Sequence, residues 1–259
     1  MNVFITGASS GIGAALAVEF ARRGATLGLA ARRQQQLDEL AATLPGAHHT
    51  YAVDVTDKYA IKDAGEAFDR TVAGGTDIVI ANAGISVGVK TEHFEDLDEF
   101  ERVFATNVNA LAYTFHPFIA PMKARRRGTL VGMASVAGIR GLPGSEAYCA
   151  SKSAAITYCE SLRVDLARHA VRVVTICPGF IRTPLTAQNP YAMPFLMDAA
   201  DFARSAANAI AAQKSYAVIP WQMGVVAKLL RLLPNWAFDQ LLAGRKQKPR
   251  AGAVRHGGD

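Results

Sequence analysis

Three polar side chains have a spacing that suits proton transfer. Tyr148 and Lys152 stand four residues apart in a stretch with a helical pattern, so they share one helix face. Ser135 precedes Tyr148 by 13 residues and ends an apolar run. A free tyrosine has a pKa near 10, and a nearby ammonium group favours the phenolate. The spacing therefore predicts that Lys152 lowers the pKa of Tyr148, although a Tyr-Lys pair alone also fits an exposed helix surface.

A glycine-rich turn follows the first apolar run, where Thr6–Gly13 reads TGASSGIG. Glycines let the backbone turn tightly and approach a pyrophosphate without an interfering Cβ. The helix that follows offers free N–H groups and a partial positive charge to phosphates. The turn therefore predicts a dinucleotide site with these candidate residues: Gly7, Ser9, Ser10, Gly11, Ile12 and Gly13.

Short apolar runs alternate with helix-like stretches along the chain. The predicted strands are Val3–Thr6, Thr26–Ala30, Thr50–Val53, Ile78–Ala81, Thr129–Met133, Val171–Cys177 and Ala217–Ile219. The predicted helices are Gly11–Arg23, Gln34–Leu44, Lys58–Val72, Phe94–Lys123, Ala147–His169 and Ala199–Gln213. Strand-helix alternation predicts an α/β fold, a doubly wound parallel sheet of about seven strands with helices on both faces. No repeat or linker divides the chain, so we expect a single domain.

The composition narrows the class of protein. The chain has 259 residues, of which 50% are hydrophobic, and a formal net charge of +6. Its basic clusters are not interleaved with aromatic residues, so we expect no nucleic-acid partner. Its three cysteines, Cys149, Cys159 and Cys177, lack metal-ligand spacing, so we expect no metal. With neither a signal-peptide pattern nor an apolar run of about 18 residues, the sequence predicts a cytoplasmic protein.

The motifs together resemble the short-chain dehydrogenase/reductase family, in its single-domain branch. TGASSGIG, Asn82-Ala83-Gly84, Ser135 and the Tyr-x-x-x-Lys pair match that family in order and spacing, over roughly residues 1–185. The resemblance implies a Rossmann-type fold and hydride transfer between a nicotinamide coenzyme and a carbonyl or secondary alcohol.

The resemblance also implies a role for each residue of the catalytic group. Tyr148 exchanges the proton with the substrate oxygen, and Ser135 hydrogen-bonds that oxygen. Lys152 holds the nicotinamide ribose and tunes Tyr148. Asn107 matches a residue that holds a helix kink and a water of the proton relay; a purely structural role in a helix bend is its alternative.

The end of the second predicted strand bears on the choice of coenzyme. Ala31 stands where NAD-preferring members of the family carry Asp, and Arg32 and Arg33 follow. Arginine suits a 2′-phosphate because it can bind that group through two hydrogen bonds. With Ser9 assisting, the pattern predicts NADP(H), although the two arginines also fit a solvated helix start.

The resemblance extends the predicted coenzyme site to other strand ends. The candidates are Asp54, Val55, Asn82, Ala83, Gly84, Pro178, Gly179, Ile181 and Thr183. Asp54 is expected at the adenine edge, with a structural turn as the alternative. Thr183 and neighbouring backbone groups are expected to hold the nicotinamide carboxamide.

The last third of the chain is less informative. We expect residues 1–220 to form the catalytic domain, with a substrate lid at about 184–200 that is rich in apolar side chains and favours a lipophilic substrate. The lid can equally pack on its own core. An apolar and basic extension, 221–259, follows. Its 221–250 part fits a membrane interface at the inner face of a membrane, a cap on the pocket, or an oligomer contact. The family resemblance implies a homodimer or homotetramer.

Two other functions on the same fold compete with a dehydrogenase. A non-catalytic NADP(H)-binding redox sensor need not keep Ser135, Tyr148 and Lys152, so their presence argues against it. A lyase, epimerase or dehydratase usually has an extended substrate domain, and this chain has no spare length for one.

Overall fold

Seven parallel strands form the central sheet of the computed structural model, which describes residues 1–187, 189–244 and 247–250. The strands are β1 (Asn2–Thr6), β2 (Thr26–Ala31), β3 (His49–Ala52), β4 (Ile78–Ala81), β5 (Gly128–Met133), β6 (Val171–Pro178) and, last in the chain, β9 (Tyr216–Ile219). Their order across the sheet is β3-β2-β1-β4-β5-β6-β9. This arrangement confirms the predicted doubly wound α/β fold.

Helices cover both faces of the sheet. They are α1 (Gly11–Arg22), α2 (Gln34–Thr43), α3 (Lys58–Thr71), α4 (Asp96–Phe104), α5 (Ala110–Ala124), α6 (Glu146–Ala167), α7 (Ala199–Ala211), α8 (Trp221–Leu232) and α9 (Asn235–Leu242). Two short strands, β7 (Ile181–Arg182) and β8 (Met197–Asp198), pair with each other outside the main sheet. Most predicted boundaries lie within two residues of these.

Alternation along β1 explains the two cores. Val3 and Ile5 point to one face and join a cluster with α1 and α7, whereas Phe4 points to the other and packs with α3 and α5. Phe4 lies 5.7 Å from Phe68 and 5.2 Å from Phe118 between ring centroids. Since both faces of each central strand are covered, the strands are continuously apolar, as is typical of parallel sheets.

The strand order reverses at β1, which pairs with β2 on one side and β4 on the other. Crossovers therefore leave the sheet in opposite directions at this point. A crevice opens at the carboxyl ends of β1 and β4, where open α/β sheets bind their ligands.

One predicted helix is wrong in its details. Instead of a continuous helix over Phe94–Lys123, α4 begins at Asp96 and is joined to α5 by a π-helical turn, Ala105–Asn109. The wider turn carries Asn107, whose side chain bonds the backbone of Ile85. π turns often mark functional sites.

The C-terminal extension contains two helices, α8 and α9, which meet near Pro234. Of the predicted extension, residues 245–246 and 251–259 lie outside the described residues, as does Gln188 of the predicted lid. Within the described ranges, no helix is long and apolar enough to cross a membrane.

Candidate active site

A single cleft of about 660 Å³ collects most of the predicted site residues. Its size lies within the range of roughly 300–1,000 Å³ typical of small-molecule and cofactor sites. It runs along the carboxyl ends of the strands from the glycine turn to the catalytic group. The predicted residues that line it are Gly7, Ser9, Ser10, Gly11, Ile12, Arg32, Arg33, Asp54, Val55, Asn82, Ala83, Gly84, Ser135, Tyr148, Lys152, Pro178, Gly179, Ile181 and Thr183.

The glycine turn is compact for steric reasons. A Cβ on Gly13 would lie 2.1 Å from the Gly7 carbonyl oxygen, and a Cβ on Gly7 would lie 2.9 Å from the Cα of Ala83. Gly7 and Gly11 have positive φ values of 66° and 56°, which glycine adopts at little cost. Gly13 itself does not line the cleft. It packs behind the turn and lets α1 start close to β1.

The N-terminus of α1 has the chemistry that a pyrophosphate requires. Ser10 precedes the helix in an extended conformation, its side chain does not cap the helix, and the first turn holds no acidic residue. The first backbone N–H groups are therefore free of side-chain competitors, and the helix dipole adds positive potential there. A dinucleotide phosphate fits this end of the cleft.

Two arginines lie beside the same turn. The Arg33 Nη2 group donates to Ser9 Oγ at 3.0 Å and lies 3.3 Å from Ser10 Oγ. Arg32 lines the cleft next to Ala31, and its charge helps to lower the pKa of Asp54. One guanidinium group and two hydroxyls thus meet at one exposed corner, and a second guanidinium lines the same cleft. Donors of these kinds suit a phosphate.

Asn82 braces the sheet at the switch between β1 and β4. Its Nδ2 donates to the carbonyl oxygen of Thr6 at 3.0 Å, and Thr6 Oγ1 accepts from the N–H groups of Asn82 and Ala83. These bonds fix the two strand ends against each other. Ala83 and Gly84 then follow along the cleft wall.

The Asp54 side chain is held within its own turn. Its Oδ1 accepts from the N–H and the hydroxyl of Thr56, at 2.9 and 2.8 Å. Partial burial raises the pKa of Asp54, but these hydrogen bonds and Arg32 outweigh it, so the net pKa is lowered. Asp54 also lines the cleft, so it both stabilises its turn and forms part of the cleft wall.

The catalytic group lies at the other end of the cleft. Ser135 follows β5 and is buried, and its Oγ accepts from the Ala137 N–H at 3.1 Å. Tyr148 and Lys152 come from the first turns of α6, with the Lys152 Nζ 5.9 Å from the centroid of the Tyr148 ring. The buried Lys152 ammonium donates to the Met133 carbonyl oxygen at 2.8 Å.

Burial dominates the protonation of this group. The surrounding protein raises the pKa of Tyr148 to about 12, and a hydrogen bond with Ser135 acts in the opposite direction. Burial lowers the pKa of Lys152 to about 8, because the ammonium loses hydration. The prediction that Lys152 lowers the pKa of Tyr148 is therefore wrong for the protein alone. Desolvation of the phenolate outweighs the hydrogen bond with Ser135.

Asn107 does not line the cleft but lies directly behind it. Its Oδ1 accepts from the Ile85 N–H, and its Nδ2 donates to the Ile85 carbonyl oxygen and to Ser151 Oγ, at 2.9 to 3.0 Å. A Cβ on Gly84 would lie 3.2 Å from Asn107 Oδ1 and 3.4 Å from Lys152 Nζ. Asn107 therefore ties the loop after β4 to α6.

The segment after β6 closes the cleft. Thr186 Oγ1 accepts from the Thr183 N–H and donates to the Ile181 carbonyl oxygen at 2.6 Å, which fixes a tight turn. A Cβ on Gly11 would lie 3.4 Å from Thr183, so this turn closely approaches the glycine turn.

The sequence did not identify several residues that line the cleft. They are Ala31, Val53, Thr56, Ile85, Arg102, Thr106, Met133, Ala134, Pro184, Leu185 and Thr186. Of these, Ala31 was noted in the sequence only because it lacks the carboxylate of NAD-preferring members, and residues 184–186 only as part of the predicted lid. Arg102 and Thr106 carry no local signal; Arg102 lies in the last turn of α4 and Thr106 in the π turn.

The comparisons with known proteins identify the family. The short chain dehydrogenase family model matches residues 1–193, and the chain belongs to this family of oxidoreductases. An uncharacterized oxidoreductase of Myxococcus xanthus (strain DK1622) is 40% identical over 241 residues, which cover 92% of this chain and 94% of the relative.

Solved structures agree on the fold and differ in coenzyme. A short-chain dehydrogenase from Sphingobium yanoikuyae in complex with NADPH superimposes with a TM-score of 0.77 at 25% identity, covering 97% of this chain and 99% of that one. A 3-ketoacyl-(acyl-carrier-protein) reductase from Brucella melitensis complexed with NADH gives 0.76 at 25% identity, covering 84% and 96%. The family resemblance is confirmed, and the site supports a nicotinamide coenzyme.

Proposed function

We propose that the protein is an NADP(H)-dependent oxidoreductase that acts on a carbonyl compound or secondary alcohol, with Tyr148 as the general acid or base. One observation carries the proposal: Ser135, Tyr148 and Lys152 converge in the same cleft as the glycine turn and its helix N-terminus. The phosphate-binding end and the proton-transferring end thus lie along one continuous surface.

Each residue of the catalytic group contributes a separate step. When bound, the nicotinamide supplies or accepts the hydride. Tyr148, whose pKa is raised to about 12, is protonated at neutral pH, as any tyrosine is, and it can give this proton to the substrate oxygen during reduction. Ser135 donates a hydrogen bond to the same oxygen and stabilises its developing charge. Lys152 would hold the ribose, and a proton from solvent restores Tyr148 after each reduction. Asn107 acts by fixing the loop after β4 against α6.

Tyr148→Phe tests the catalytic assignment. We expect turnover to fall by roughly 10²–10⁴-fold, the usual contribution of general acid-base catalysis, with NADPH affinity near normal. Tyr158→Phe is the matched control, because Tyr158 lies on the same helix but packs on Phe115 away from the cleft. A Tyr148→Phe enzyme that kept more than a few per cent of activity would contradict the mechanism.

The NADP(H) preference is supported by the contact of Arg33 with Ser9 and Ser10. Arg32, which lines the same cleft, and Ala31, in place of a carboxylate, also support it. The test compares kcat/KM for NADPH and NADH in the wild type, Arg32→Ala and Arg33→Ala. We expect the wild type to favour NADPH and either variant to lose most of that preference. Equal use of both coenzymes by the wild type would refute the assignment.

A lipophilic substrate is supported by Pro184 and Leu185 of the proposed lid, which line the cleft beyond Thr183. A panel of ketones and aldehydes of increasing chain length, followed by NADPH absorbance, tests this choice. We expect KM to fall as the apolar chain lengthens. Tight NADPH binding with no turnover across the whole panel would instead favour the redox-sensor alternative.

We also propose a cytoplasmic protein that contacts a membrane peripherally, and the outer face of α8 and α9 supports the membrane contact. One side of α8 is exposed and apolar, with Trp221, Val225, Leu229 and Leu232 at helical spacing, and Trp236 of α9 is exposed too. Lys228 on the same side adds positive charge, which attracts anionic lipid.

Flotation with anionic and neutral vesicles tests this contact. We expect binding to anionic vesicles only, reduced in Leu229→Glu relative to the control Gln213→Glu, which adds the same charge at an exposed position outside α8 and α9. For the oligomer we propose a homodimer or homotetramer, to be measured by light scattering. Loss of the oligomer in Leu229→Glu, with no vesicle binding by the wild type, would assign the face to a second copy.

A further inference from the structure

Arg250, the last residue that the structure describes, is bound to residues that are distant from it in the sequence. Arg250 makes two parallel hydrogen bonds to Asp96, from Nε at 2.8 Å and from Nη2 at 2.9 Å, and Nη2 also reaches Glu95 at 2.9 Å. Asp96 is only 1% exposed and accepts a further bond from the Lys90 N–H. A buried carboxylate needs such a partner, and paired guanidinium bonds are among the strongest available.

The residues before Arg250 contact two loops. Lys248 Nζ donates to Ser86 Oγ at 2.8 Å, and Arg250 forms an isolated β-bridge with Gly88. A Cβ on Gly88 would lie 2.4 Å from the Pro249 carbonyl oxygen, so glycine permits this close approach. On the other side, a Cβ on Gly144 would lie 2.8 Å from Gln247. Residues 247–250, here called the terminal strap, thus join the loop after β4 to the loop before α6.

Both loops lead directly to the cleft. Gly84 and Ile85 line it, and Ser86 is the next residue after them. The other loop, residues 139–145, connects the Ser135 turn to the first turn of α6, which carries Tyr148. Their relative position therefore sets the distance between the wall at Ile85 and the reacting hydroxyl groups.

We propose that Arg250 is a positioning residue: its ion pair with Asp96 holds the terminal strap against both loops and so fixes the substrate side of the cleft. This inference rests on the proposed function, because it assumes a substrate beside Tyr148. The coenzyme's phosphate end is built from other elements, β1, α1 and β2. Loss of Arg250 should therefore change substrate handling without weakening coenzyme binding.

The test uses full-length Arg250→Ala and Arg250→Lys. We expect Arg250→Ala to lower kcat/KM for the carbonyl substrate by roughly 10- to 100-fold, since small misplacements at a reacting centre have effects of this size. The dissociation constant for NADPH should stay within about twofold, a fold-change of under 0.5 kcal/mol. Arg250→Lys keeps the charge but loses the paired geometry, and it should recover part of the loss.

A matched control is Arg127→Ala. Arg127 also pairs with an acidic residue, Asp77, but the two lie at the amino ends of β5 and β4, whereas the cleft runs along the carboxyl ends of the strands. We expect its kinetics to match the wild type. Hydrogen exchange supplies a readout that needs no turnover: Arg250→Ala should exchange faster at residues 85–96 and 139–148, and Arg127→Ala should not.

The outcomes separate the strap from the proposed function. Faster hydrogen exchange in Arg250→Ala, with no turnover by the wild type on any carbonyl, would support the role of Arg250 in holding the terminal strap and would refute the proposed carbonyl or alcohol substrate. Unchanged kinetics and exchange in a folded Arg250→Ala protein would overturn the inference, as would an equal loss of NADPH binding. If Arg250→Ala does not fold, Arg250→Lys and Asp96→Asn decide by the same two measurements.

Discussion

The two ends of the cleft handle charge in different ways. At the phosphate end, Arg33 is exposed and bonds two serine hydroxyls at the surface. At the catalytic end, Ser135 and Lys152 are buried, and the pKa values of Lys152 and Tyr148 are moved in opposite directions. One end offers exposed charge to an anion in water, and the other holds proton carriers away from water.

This difference determines which changes matter. Charges near solvent interact through a high dielectric and are screened by salt, so single contacts are worth little. Buried polar groups interact strongly, and removing one leaves its partner without compensation. Variants at the catalytic end should therefore have larger effects than variants at the phosphate end.

After Tyr148→Phe, the largest effect is expected for Ser135→Ala. Removal of one hydrogen-bond donor to a developing oxyanion usually costs about 10²–10³-fold in kcat. We expect a loss of this size in steady-state kinetics, with NADPH affinity unchanged in a fluorescence titration. The matched control is Ser153→Ala, because Ser153 is exposed on the same helix as Tyr148. Similar losses in both variants would mean that the effect is structural, and the two ends would no longer differ as proposed.

An intermediate effect is expected for Lys152→Met, on the pH dependence of the free energy of unfolding without coenzyme. The pKa of Lys152 is lowered to about 8 in the folded protein and is near 10.4 in an unfolded chain. Between these values the unfolded state binds more protons, so wild-type stability rises with pH. Relative to Lys152→Met, the gain from pH 7 to 10 should be of the order of 1–3 kcal/mol, at 1.36 kcal/mol per pKa unit.

Urea unfolding at several pH values measures this difference. Lys214→Met is the control, because Lys214 is exposed and its removal should leave the pH dependence of the wild type intact. A Lys152→Met curve parallel to the wild type would show that Lys152 is hydrated and would remove the contrast between the two ends.

The sequence predicted the phosphate end better than the details of the catalytic end. TGASSGIG lies in one stretch, so local steric rules fix both its turn and the helix N-terminus that follows. The π turn at Ala105–Asn109 depends on bonds between Asn107 and Ile85, 22 residues apart, and a helical pattern gives no sign of it. The predicted lowering of the Tyr148 pKa was wrong because the i, i+4 spacing does not show how deeply the phenol is buried.

The terminal strap shows the same limit more strongly. Arg250 and Asp96 are 154 residues apart, and each alone is an ordinary surface charge in the sequence. Only the fold places the buried Asp96 carboxylate opposite Arg250. Pairings of this kind are invisible to motifs, whereas the order of strands and helices follows from local apolar patterns.

The smallest effect is expected from ionic strength. The Debye length falls from about 30 Å at 0.01 M to about 8 Å at 0.15 M salt, so attraction between the exposed arginines and an anionic coenzyme weakens over this range. We expect KM for NADPH to rise a few-fold while kcat changes little, because the groups at Tyr148 are shielded from salt. Arg33→Ala should weaken the dependence of KM on salt. The control Arg204→Ala should not, because Arg204 is distant and pairs with Asp201 on α7. A salt effect on kcat that equals the effect on KM would mean that solvent ions reach the catalytic end, and the distinction between an exposed and a buried end would fail.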